Sequence, residues 1–152
     1  MNTQEVSGDT RNLYEGDKLD RMFKAQYDLM QKYKNVAEDH LSKIVKQPVQ
    51  YSDEAWKGGE FNLHTREGNV LIKEMIQASM QELAEAVQVL KSWKPWKQTE
   101  IPADVDHWKE EMVDAFHFFM EALLLAGVTP DELYELYFKK KEVNEFRIET
   151  KY

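Results

Sequence analysis

The chain predicts an all-α fold on three observations. Apolar residues recur at helical spacing in four long stretches, no run alternates apolar and polar residues as a strand would, and helix stop and start signals separate the stretches. Its 152 residues suit one domain, with no internal repeat or low-complexity tract. The reading gives a polar arm over 1–17 and a single helical domain over 18–152, a bundle of about four to six helices with a loop insertion at about 47–69.

The arm carries Gly8 and Gly16 and is expected to be mobile unless it docks on a partner. A helix starts near Asp17, where Leu19, Met22, Phe23, Gln26, Tyr27, Leu29, Met30 and Tyr33 follow a 3.6-residue period. It runs on through Leu41 and Ile44 until Pro48 stops it. The insertion holds Pro48, Gly58, Gly59 and Gly68 among scattered aromatics, and connections beyond ~12–15 residues are often lids or binding loops. A short helix fits around Asp53 to Trp56. The next helix is expected from about Asn69 to Trp93, with Val70, Ile72, Met75, Ile76, Met80, Leu83, Val87 and Leu90 as its core stripe and Pro95 as its end. After a basic, aromatic connection a further helix runs from about Asp104 to Ala126 and is closed by Gly127. Thr129-Pro130-Asp131-Glu132 opens the last helix with a capping hydroxyl, a proline at the first helical position and an acid three residues after the cap.

Composition excludes several functions. Lys+Arg 20 against Asp+Glu 28 gives a net charge of -8, unlike a polynucleotide binder, which grips phosphates with clustered cations. With no cysteine there is no disulfide, zinc ribbon or thiol nucleophile. The longest apolar run, Ala115 to Val128, contains His117 and Glu121 and falls short of the ~20 residues of a membrane span. The start lacks the apolar core of a signal peptide, so the expected setting is cytoplasmic. Phe116, Phe119, Leu123, Leu124 and Leu125 make this helix too apolar for one small bundle to cover, which predicts a homodimer or higher oligomer.

Two carboxylate pairs carry the chemistry: Glu82 with Glu85, and Glu111 with Asp114. The i,i+3 spacing puts each pair on one helix face with Cβ atoms roughly 5–6 Å apart. Two such helices packed antiparallel would converge four negative charges, a costly arrangement unless divalent cations neutralise it. Magnesium with a phosphorylated ligand answers that cost; solvated acids on helix surfaces are the competing reading. His117, three positions beyond Asp114, is either a core histidine or an orienting neighbour of a ligating carboxylate, and Glu121 continues its face. Lys140, Asn144 and Arg147 share another helix face that suits phosphate oxygens, against the plainer role of cations complementing a helix C-terminus.

These motifs, in this order, resemble the all-α nucleoside triphosphate pyrophosphohydrolases, in particular the dimeric dUTPases and their phage dCTPase-dUTPase relatives. The family's ExxE helix is matched by Glu82 to Glu85, and its EExxD helix leading to His-Phe by Glu110-Glu111-Met112-Val113-Asp114 with His117-Phe118. The KxxxNxxR segment is matched by Lys140, Asn144 and Arg147 with Tyr152 following, the aromatic-Lys-x-Trp element by Trp93-Lys94-Pro95-Trp96, and the first-helix glutamine by Gln26. The resemblance implies Mg2+-dependent hydrolysis of dUTP or dCTP to the monophosphate and pyrophosphate, with two or more ions per site and Mn2+ as a substitute. It places the metals on Glu82, Glu85, Glu111 and Asp114, makes Glu82 the general base, gives the phosphates to Lys140, Arg147 and Lys94, and gives the nucleoside to Gln26, Asn144, His117, Trp96 and Tyr152. It also implies a homodimer in a bacterial or phage-infected cytosol. Met30 departs from the pattern, since the family commonly has Asn four residues after the glutamine. Broader MazG-like hydrolases are the near alternative. A ferritin-like di-iron protein, which needs acid-x-x-His on two helices, and a non-catalytic helical assembly protein are the distant ones.

Overall fold

The computed structural model describes residues 2–44 and 52–151. These contain no strand and six α-helices: α1 (Lys18–Ile44), α2 (Asp53–Lys57), α3 (Glu60–His64), α4 (Arg66–Val89), α5 (Val105–Leu125) and α6 (Pro130–Glu149). The predicted all-α class holds. The boundaries follow local chemistry. Thr65 Oγ1 caps α4 by accepting from the Gly68 N–H, and Asp104 caps α5 by accepting from the His107 N–H. Thr129 and Glu132 form the expected reciprocal box at α6. At the end of α5, the Gly127 N–H donates to the Leu124 carbonyl and the Val128 N–H to that of Leu123, with Gly127 at φ 78, a Schellman closure. α4 stops at Val89, short of the expected Trp93, because Leu90 turns extended well before Pro95.

The described part of the insertion, from Ser52, is largely helical and serves as an anchor, and Pro48 lies outside the described residues. Ser52 caps α2, and the 58–59 turn into α3 lies against the end of α5, where the Gly59 N–H donates 3.1 Å to the Leu125 carbonyl. Gly58 sits at φ 78, and a Cβ there would come 2.2 Å from the Leu124 carbonyl oxygen, so only glycine permits the approach. Buried Asn62 donates from Nδ2 to the carbonyls of Ala55 (2.6 Å) and Leu125 (2.8 Å), tying α2, α3 and α5 together. An ion pair from Lys34 to Asp53 joins α1 to α2.

The core gathers Met30, Ala55, Trp56, Leu71 and Leu125, with Ile72, Met75 and Leu124 packed on it. The expected stripe on α4 is therefore corrected. Its N-terminal members Ile72 and Met75 face the core, but Ile76, Met80, Leu83, Val87 and Leu90 are exposed, Met80 by 63%. The face turned inward is instead Gly68, Leu71, Ser79 and Ala86. Gly68 leaves room for Asn62 of α3, whose Cα a Cβ there would approach to 2.1 Å, Leu71 joins the core, and Ser79 bonds to α5. α6 rests lightly on α1 and has no buried residue, although Tyr134, Leu136, Tyr137, Phe146 and Ile148 are apolar. The polar arm docks on its own chain: Thr3 donates from N (2.7 Å) and Oγ1 (2.6 Å) to Glu110 Oε1, and Gln4 Nε2 donates 2.6 Å to Asp106.

Candidate functional site

The register of two antiparallel helices builds the site. Ser79 on α4 donates 2.8 Å to the Ala115 carbonyl on α5, a buried bond that fixes how the two helices slide against each other. About one turn further along α4, and within the preceding turn of α5, this lock sets Glu82 opposite Glu111 and Asp114. Carboxylate oxygens of these three residues lie within 4.8 Å of one another. Two of the four expected ligands thus come from α5 and one from α4. Glu85 lies outside that trio but borders it: it lines the same cleft as Glu111 and accepts 3.1 Å from Gln81 Nε2.

Crowding leaves an electrostatic mark. Burial, then the charges of Glu85, Asp114 and Glu111, push Glu82 above the usual carboxylate range, and it shares a hydrogen bond with Glu111. Burial and then Glu111 raise Asp114, while His117 opposes the shift. The four acids repel one another, and a hard divalent cation would ease that repulsion. Three converging oxygen donors fit Mg2+ or Mn2+, which prefer oxygen.

Two clefts flank the acids. One, of about 790 Å3, is lined by Gln81, Glu85, Lys91, Asp104, His107 and Glu111. The other, of about 450 Å3, runs beneath the docked arm past Asn2, Thr3, Glu110, Glu111, Asp114 and His117. His107 Nε2 lies 2.7 Å from Glu111 Oε1, so it helps aim that carboxylate. The sequence reading gave His107 no part in this site, although i,i+4 spacing to Glu111 was the available signal. The arm was missed too, since no local pattern couples Thr3 to a residue 107 positions away.

The other expected site residues divide. Gln26 and His117 are brought together, with His117 Nδ1 2.6 Å from Gln26 Oε1. Gln26 is buried and holds protein partners rather than opening onto a cleft. Met30, where the family commonly has Asn, is a core residue. Lys94 and Trp93 line a separate recess at the end of α4 with Lys91 and Lys97, and Trp96 stands exposed beside Trp93 at 6.3 Å. Lys140, Asn144 and Arg147 lie on α6, none of whose residues lines either cleft at the acids. Tyr152 lies outside the described residues.

An all-α chain that converges carboxylates from two antiparallel helices has the frame of the all-α nucleoside triphosphate pyrophosphohydrolases. The dUTPase family model matches residues 17–124, and the chain belongs to that family. The match takes in α1 to α5 and every acid of the cluster, and it ends before α6. Among curated proteins the chain is similar to the dCTP pyrophosphatase of Enterobacteria phage LZ5, 35% identical over 63 residues, covering 34% of this chain and 37% of that protein. The match thus spans about a third of that relative's length. No solved structure matches the chain significantly.

Proposed function

We propose that the chain is a nucleotide pyrophosphohydrolase that cleaves a deoxynucleoside triphosphate, dUTP or dCTP, to the monophosphate and pyrophosphate with Mg2+. The observation that carries this is the convergence of Glu82, Glu111 and Asp114 in a chain of the dUTPase family. These residues, with Glu85 at the cleft edge, would hold the ions, which when bound supply Lewis-acid polarisation of phosphate oxygens. Glu82, whose proton affinity burial and its neighbours raise, suits the general base that takes a proton from the attacking water. The larger cleft is of the right size for a nucleotide, and Lys91 at its wall adds a cation for phosphate oxygens. Lys140, Arg147 and Lys94 would neutralise the leaving pyrophosphate once α6 and the α4–α5 connection are brought to the acids. Asn144, Trp96 and Tyr152 would border the nucleoside. The working form is a homodimer, placed in a bacterial or phage-infected cytosol.

Substrate choice is a matter of a few hydrogen bonds at one base edge, so direct competition decides it. A panel of all deoxy- and ribonucleoside triphosphates with Mg2+, scored for pyrophosphate against orthophosphate, should show release from dUTP or dCTP foremost. Even turnover of all bases would assign the broader MazG-like activity, and no turnover would leave a helical assembly protein. Glu85→Ala and Asp114→Ala should each abolish release with far-UV dichroism unchanged; wild-type turnover in either variant removes the site assignment.

A further inference from the structure

Glu121 and Gln26 are among the most enclosed polar side chains described, at 2% and 1% exposure, on α5 and α1. Neither lines either cleft at the acids, and a buried carboxyl on a helix whose other buried residues are apolar is costly unless it has a task. Gln26 links it to the site. Its Nε2 lies 3.5 Å from Glu121 Oε2, and its Oε1 lies 2.6 Å from His117 Nδ1.

An amide group has one donor end and one acceptor end, so fixing either fixes the other. When ionised, a carboxylate only accepts, so Glu121 in that form draws the NH2 end of Gln26 toward itself and turns Oε1 to the histidine. That carbonyl oxygen also only accepts, so Nδ1 of His117 must carry the proton and donate. In a neutral imidazole the second nitrogen then bears a lone pair. The His117 ring lines the cleft that it shares with Glu111 and Asp114. An apolar side chain at position 121 would cost less to bury but would leave the Gln26 amide free to turn over and the ring free to exchange tautomers.

We propose that Glu121 and Gln26 are positioning residues that hold His117 in the Nδ1–H form, so that Nε2 presents a hydrogen-bond acceptor beside the carboxylate cluster. The tautomer follows from these three side chains alone. Its use, accepting from a donor of the bound nucleotide or of its hydrating water, rests on the function proposed above.

Imidazole 15N shifts of the full chain tell the tautomers apart without substrate. At mildly alkaline pH, where Glu121 is ionised, wild type should show Nδ1 protonated and Nε2 bare. Glu121→Gln keeps the volume but can donate as well as accept, so its His117 should show both forms. An Nε2–H wild type, or a variant spectrum identical to wild type, overturns the proposal. In turnover of the preferred triphosphate, Glu121→Gln should lower kcat about tenfold with KM little changed. A shifted tautomer with unchanged kcat refutes its use in the reaction. Should wild type hydrolyse nothing, the proposed function falls while the tautomer result stands on its own.

Discussion

Glu121 is also where a single residue ties pH to stability. Burial pushes its carboxyl from the ordinary 4.5 up to about 7. A folded-state pKa above the unfolded one means that the folded chain binds the extra proton, so this residue favours folding fully below about 4.5 and loses that contribution as pH rises to about 7. The loss is about 3 kcal/mol. Glu121→Gln, which cannot ionise, should be more stable than wild type above neutrality and equal to it in acid. Urea denaturation at a series of pH values checks this, and parallel curves for the two proteins would contradict it. The three acids of the cluster and the bordering Glu85 are legible in the sequence because helical spacing turns position into a face. The burial of Glu121 and Gln26 is not, since it depends on how α1 lies across α5, which no local pattern states.

At the scale of elements, caps and breakers read well and packing faces read badly. Thr129-Pro130-Asp131-Glu132 and Gly127 announce their boundaries because the groups that satisfy a helix end are its sequence neighbours. The inward face of α4 is hidden because hydrophobic periodicity marks every surface that will be covered, including any covered by another chain. Ser79 and Ala115 set the register of the site yet look unremarkable in sequence. The insertion teaches the same lesson: its glycines announce a turn, but that the turn anchors α5 through Asn62 emerges only in three dimensions. Asn62→Ala would remove two buried hydrogen bonds and leave the carbonyls of Ala55 and Leu125 with only their backbone partners, the Gly58 and Gly59 N–H groups. The expected loss is roughly 1–3 kcal/mol. Asn69→Ala, which removes donors to carbonyls of α3 at a more exposed position, should cost less. Thermal or urea melts of the pair test the ranking, and equal losses would refute the anchoring role.

Across the whole molecule, the described residues leave a broad apolar surface exposed. On α4, Ile76, Met80, Leu83 and Val87, and Leu90 at its C-cap, stand exposed at alternating steps of four and three residues, the spacing of a helix-pairing seam. On neighbouring α5, Met112, Val113, Phe116 and Phe119 are exposed as well, with the Phe116 and Phe119 rings stacked at 6.3 Å. Together these side chains offer an area of the same order as the ~800 Å2 per partner of a standard interface. Each protomer carries a net charge of -8, so two copies repel unless apolar burial outweighs the repulsion. The surface that would do so lies on the same two helices as the carboxylates, and dimerisation would therefore stiffen the hairpin that holds Glu82 opposite Glu111 and Asp114. Light scattering during gel filtration should give a dimer at micromolar concentration, with added salt strengthening it by screening the like charges. Met80→Glu combined with Phe116→Glu would place charges at the seam and should yield a folded monomer with much reduced turnover. A wild-type chain that runs as a monodisperse monomer would contradict the seam. Full turnover in the monomeric variant would uncouple the interface from the site.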